Sequence, residues 1–90
     1  KKRMIITSGF NVYPQEVEEV LRLHPAVADT LVIGKEDLMR GEIVKAQVIL
    51  RQGHQPDDKE IIRYCKEYLS SYKAPREIEF VTSLEGKDPG

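Results

Sequence analysis

Cysteine occurs once in 90 residues, at Cys65. That excludes an intramolecular disulfide framework and a cysteine-rich zinc site, and it suits a reducing compartment. Net charge is nearly absent: 14 Lys and Arg against 15 Asp and Glu leave -1. No bulk attraction to nucleic acid or to an anionic membrane follows from that balance. Long apolar runs are missing too. Leu31 to Ile33 and Val48 to Leu50 are far too short to span a bilayer. Lys1, Lys2 and Arg3 are followed by only Met4, Ile5 and Ile6, too few apolar residues for a signal-peptide core. His24 and His54 are the only histidines, and neither has a partner at metal-ligand spacing, so no metal site is expected. The glycines stand apart from one another, which excludes a phosphate loop.

What remains is a chain that is 40% apolar and 32% charged. One compact domain fits that length. It buries roughly 60–65% of its unfolded surface, enough for a modest core but not for a deep, self-enclosed active site. The chain opens on Lys1 and closes on the breaker-rich run Glu85 to Gly90. Both ends are those expected of a fragment: a domain over residues 1–84 and a polar tail over 85–90, truncated or non-native.

Met4 to Thr7 and Phe10 to Tyr13 are short apolar runs around Ser8-Gly9, which reads as a hairpin or bend. Pro14 suits the first position of a helix. Glu16, Glu18 and Glu19 crowd its positive end and are expected to form a solvated face. Val17, Val20 and Leu21 make its apolar stripe. Pro25 should stop it near His24, which is expected to be a polar C-terminal cap. Val27 to Ile33 is β-branched and should be a strand ending at Gly34, with Lys35 to Glu42 as a polar loop. Val44, Ala46, Val48 and Leu50 alternate with Lys45 and Gln47, the pattern of a half-buried strand. Asp57 or Asp58 can cap a second helix, whose apolar face is Ile61, Ile62, Cys65, Tyr68 and Leu69. Cys65 on that face is expected to be a small hydrophobe rather than a nucleophile. Ile78 and Phe80 mark a last strand.

The expected fold is therefore α+β: a small β-hairpin followed by α-β-β-α-β. Its three-stranded sheet is covered on one face by two helices, and the last strand runs parallel to the second. The other face is expected to be more polar. Two function classes suit this order on pattern alone: a stand-alone ferredoxin-like small-ligand regulatory module, and an RNA-binding α/β module. The last lacks paired base-stacking aromatics on its long strands and any basic excess.

One segment is more specific. Lys1-Lys2-Arg3-Met4-Ile5-Ile6-Thr7-Ser8-Gly9-Phe10-Asn11-Val12-Tyr13-Pro14-Gln15-Glu16-Val17-Glu18 resembles the start of the C-terminal domain of adenylate-forming (AMP-binding) enzymes. Its wording is most like that of long-chain fatty-acid–CoA ligases. Val32-Ile33-Gly34, Gly41 to Ala46, Tyr72-Lys73-Ala74-Pro75-Arg76 and Ile78 to Val81 continue the likeness. The resemblance implies a mobile domain beside a large N-terminal adenylation domain of the same chain. In such enzymes ATP and Mg2+ convert a carboxylic acid, here a fatty acid, to an acyl-adenylate. The small domain then rotates, and coenzyme A takes the acyl group. By the resemblance Lys2 is the hinge, Gly9 lines the coenzyme A tunnel and Asn11 lies near the nucleotide. Lys87 is the candidate for the catalytic lysine. The family's proline before that lysine is missing here and the loop is shorter. The resemblance further implies a cytoplasmic location, with or without peripheral membrane contact, no nucleic-acid partner, and an isolated domain without activity of its own.

Overall fold

The computed structural model describes residues 4–84. The elements in chain order are β1 (Ile5–Thr7), β2 (Phe10–Val12), α1 (Pro14–Leu23), β3 (Val27–Asp37), β4 (Gly41–Leu50), α2 (Asp58–Tyr68) and β5 (Glu77–Phe80). The α+β class and the β-hairpin-α-β-β-α-β order are as expected from the sequence.

The sheet itself is larger than expected. It has five strands, in the order β2-β1-β4-β3, with β5 also on β4. The hairpin is no separate appendage: β1 joins β4 antiparallel at Thr7 opposite Gly41. Farther along β4, β5 pairs in parallel, from Lys45 opposite Glu77 to Val48 opposite Phe80. The parallel last strand is as the sequence order required.

The polar loop expected over Lys35 to Glu42 is mostly strand. β3 continues past Gly34 to Asp37, and only Leu38 to Arg40 make the turn. Lys35, Glu36 and Asp37 pair with Ile43, Glu42 and Gly41. Ladder hydrogen bonds to an already placed β4 outweigh the weak strand preference of charged residues.

Both helices start where local chemistry puts them. Pro14 stands in the first turn of α1, where a missing N–H costs nothing. The Asp57 carboxylate caps α2 by accepting from the Glu60 N–H at 3.1 Å. Replacing Asp57 by Ala leaves that donor without its cap. The Asp57→Ala protein is expected to lose about 1 kcal/mol, read as a lower urea midpoint at unchanged slope.

Val17 and Leu21 from α1, Ile61 and Cys65 from α2, and Val32, Val44, Ala46 and Val48 from the sheet form one buried cluster with Ile5 and Val12. Burial pushes the Cys65 thiol up to about 11, so it stays protonated and apolar in character. Tyr68, expected on the apolar face of α2, is 58% exposed; the buried stripe is the narrower Ile61, Cys65, Leu69.

Glu16 and Glu19 are exposed as expected of the acidic face of α1, but Glu18 is not. It is 1% exposed. Its carboxylate accepts from the Val32 N–H at 2.8 Å, and Arg22 approaches it at 3.9 Å. β3 has a ladder partner on one side only. Glu18 thus closes an amide on the free edge of the sheet, where a buried unpaired donor is costly.

His24 ends α1 as expected, but buried rather than at the surface. Its Nδ1 accepts from the Ala26 N–H at 3.0 Å, which leaves the ring proton on Nε2. That nitrogen donates to the Glu60 carboxylate at 2.7 Å and so ties the end of α1 to the start of α2.

The face away from the helices carries a charge ladder. Lys45 lies 2.9 Å from Glu79 and 3.7 Å from Glu77, and Lys35 lies 2.9 Å from Glu77. Hydrogen bonds from Lys45 and Gln47 hold the Glu79 carboxyl below its ordinary value of 4.5. A depressed folded value means the ladder stabilises fully above the ordinary carboxylate range. That contribution is lost as pH falls through the lowered value. Stability is therefore expected to decline on acidification below about pH 4.5, and less steeply in Glu79→Gln. Urea titrations across pH 2 to 7 check this.

Candidate functional site

The hairpin β1–β2 turns through Ser8 and Gly9, with Thr7 opposite Phe10 closing the ladder. Both turn residues have positive φ, 50° at Ser8 and 83° at Gly9. A two-residue hairpin turn of that hand matches the twist of its strands and favours glycine. The Ser8 N–H donates to the Arg40 carbonyl at 2.9 Å, which pins the turn to the β3–β4 turn. A Cβ built on Gly9 meets nothing within 4 Å. Inside this domain, then, backbone conformation alone calls for glycine, and the space beyond it is open to another molecule.

A cleft of about 460 Å³ begins beside this turn. Thr7, Ser8 and Phe10 form its hairpin wall, with Lys66 from α2 and Tyr72 and Arg76 from the segment before β5. Phe10 and Tyr72 stack at 4.3 Å between centroids and 22° between planes. Both keep an open side: Phe10 is 50% and Tyr72 38% exposed. Lys73, next in the chain, bonds both Glu16 carboxylate oxygens at 3.1 Å. That hydrogen bond raises its pKa and holds the cation at the helix start rather than in the cleft. Lys66 and Arg76 therefore supply the positive charge of the cleft. An aromatic pair flanked by two cations can receive a planar base and its phosphates.

Of the residues singled out from the sequence, Gly9 lies beside this cleft, between Ser8 and Phe10 of its wall. Asn11 does not face it. Asn11 pairs with Ile6, and alternation along β2 puts it on the hairpin face opposite Phe10. Lys2 and Lys87 lie outside the described residues. Phe10, Tyr72, Lys66 and Arg76 had no assigned role, because their meeting depends on contacts 62 residues apart in the chain (Phe10 to Tyr72). The sequence signals for them were the stretches of likeness that hold Phe10 and Tyr72 to Arg76; Lys66 had none. Among the described residues no group of three His, Cys, Asp or Glu side chains could hold a metal ion. Nor is any described helix long and apolar enough to cross a membrane.

The described residues form one small α+β domain with an open turn beside a cleft. The chain belongs to the AMP-binding enzyme C-terminal domain family, whose model matches residues 16–89. It is 51% identical over 84 residues to an acetyl-coenzyme A synthetase of Bacillus subtilis, covering 90% of this chain and 15% of that one. It is 44% identical over 84 residues to a long-chain-fatty-acid–CoA ligase of the same organism, covering 93% of this chain and 15% of that one. Among solved structures, an acyl-CoA synthetase of Brucella canis superposes with a TM-score of 0.88 at 40% identity, over 91% of this chain and 16% of that one. The chain thus spans about 15% of the length of the curated relatives it matches.

Proposed function

We propose that this chain is the mobile C-terminal domain of an acyl-CoA synthetase. Residues 1–84 are the lid and 85–90 a tail. The larger remainder of the polypeptide binds ATP, Mg2+ and the carboxylic acid, and forms the acyl-adenylate with release of pyrophosphate. The lid then turns on Lys2 and brings the Ser8-Gly9 turn to the acyl-adenylate. Coenzyme A reaches the acyl carbon past Gly9, where a missing side chain leaves the thiol its path. Lys66 and Arg76 suit the phosphates of coenzyme A, and Phe10 and Tyr72 its base. Lys87 is the cation for the adenylation step, aimed at the charge that develops on phosphate. Fatty acids are the substrate class we favour, on the wording of Ser8 to Pro14.

The single observation that carries this function is the open, left-handed turn at Gly9, set between Ser8 and Phe10 of a cleft lined by rings and cations. The test pairs the full-length protein with the lid alone. Full-length protein given ATP, Mg2+, coenzyme A and acids of graded chain length should yield acyl-CoA, detected by mass spectrometry. Residues 1–84 alone should support no acid-dependent pyrophosphate exchange. Exchange by the lid alone, or no acyl-CoA from any acid with the full-length protein, would overturn it.

A further inference from the structure

The tip of the β3–β4 hairpin is apolar and bare. Leu38 is 105% and Met39 87% exposed, the two most exposed large hydrophobic side chains of the domain. Loop tips with small or polar residues need no partner; a Leu-Met pair held in water does. The backbone under this pair is fixed rather than loose. The Asp37 carboxylate accepts from the Met39 N–H at 3.1 Å and the Arg40 N–H at 3.0 Å. The Arg40 guanidinium returns to the same oxygen at 3.4 Å. Gly41, at a φ of 82°, closes the turn. An Asx-type turn of this kind holds the backbone of its two central residues in place, so little backbone order is lost when something covers them.

The tip is also tied to the Gly9 turn. The Arg40 carbonyl takes the Ser8 N–H at 2.9 Å, and Thr7 faces Gly41 across the ladder. Whatever surface receives the Gly9 turn must lie close to Leu38 and Met39 as well. The chain accounts for only about 15% of its relatives' length, so the same polypeptide in those relatives carries a much larger body beside such a domain.

We infer that Leu38 and Met39 form a docking wedge. It seats in an apolar recess of the larger upstream part of this polypeptide when the Gly9 turn is delivered to its target. The wedge rests on the ligase function proposed above for the existence of that upstream body. Its role is to position the Gly9 turn; neither side chain touches the reacting atoms.

The experiment uses the full-length protein and dilute hydrogen peroxide. The oxidation rate of Met39 to its sulfoxide is read by mass spectrometry of the peptide that contains it. Rates are taken without ligand, with ATP and Mg2+, and with AMP and coenzyme A. The same chain unfolded in urea is the reference. In at least one folded state Met39 is expected to oxidise about fivefold or more slowly than in urea. Leu38→Ser, a change at a fully exposed position, should remove most of that protection while leaving the melting temperature in place. Met39 reacting in every folded state as fast as in urea would overturn the wedge. So would protection that Leu38→Ser leaves intact. Failure of the ligase function shows separately, as protein that yields no acyl-CoA whatever the behaviour of Met39.

Discussion

In a full-length Gly9→Leu protein, acyl-adenylate is expected to form at close to the normal rate, while transfer to coenzyme A falls by at least about 100-fold. The cause is steric and confined to one step. A Leu side chain at the turn would stand in open space within the lid, since nothing lies within 4 Å of its Cβ. On the proposed function, it would meet only what the domain is delivered to. The alternative is that Gly9 serves the turn alone. Its φ of 83° costs a non-glycine residue about 1–2 kcal/mol. On that alternative Gly9→Leu weakens the fold and lowers both half-reactions together. Gly9→Asn separates the two, because asparagine tolerates the left-handed region while still adding a side chain. Asn should melt near the wild type, yet lose the coenzyme A step if Gly9 borders the thiol's path. Single-turnover rates for each half-reaction, with melting curves alongside, decide it. A Gly9→Asn enzyme that makes acyl-CoA normally would leave glycine with a conformational role only.

The second large effect concerns stability. Glu18→Ala is expected to cost about 2–4 kcal/mol, seen as a lower denaturation midpoint. The loss has two parts. The Val32 N–H forfeits a charge-assisted bond of 2.8 Å, and the volume around a side chain that is 1% exposed is left partly empty. Glu18→Gln keeps an oxygen to accept from Val32 and keeps the shape. It should cost about 1 kcal/mol or less, chiefly through the weakened approach of Arg22. Equal losses in the Ala and Gln variants would show that charge, and not the edge bond, is what Glu18 supplies.

Local chemistry made much of the fold legible. Pro14 and Pro25 bracket α1 because each restricts backbone on one side of itself. Asp57 marks the start of α2 because its carboxylate reaches an orphan amide. The alternation of Val44, Ala46 and Val48 follows from a sheet with one apolar face. What stayed hidden depends on partners distant in the chain. Lys35 to Asp37 look like a loop until β4 offers them a ladder. Glu18 looks solvated, since helix position shows which residues share a stripe but not that a strand edge lies across it. Of the candidate site, the Gly9 turn could be read from Ser8-Gly9 between two apolar runs. The Phe10–Tyr72 stack could not, because nothing in either local sequence refers to the other. Period-2 alternation puts Asn11 and Phe10 on opposite faces once a strand is assumed.

The sheet also orders the domain's birth. β4 borrows its neighbours from both ends of the chain: β1, the first strand to be synthesised, and β5, the last, share one edge of it. A nascent chain that has released α1, β3 and β4 can zip the long β3–β4 hairpin and lay α1 on it. The same edge of β4 stays half-vacant until Glu77 to Phe80 emerge, so the described sheet is finished only with β5. The turn at Gly9 hangs from the early part of that edge, and Phe10 beside it gains its aromatic partner, Tyr72, only shortly before β5 appears. A ribosome that stops short of β5 would therefore leave a chain with its hairpins present and a strand edge open to a stranger.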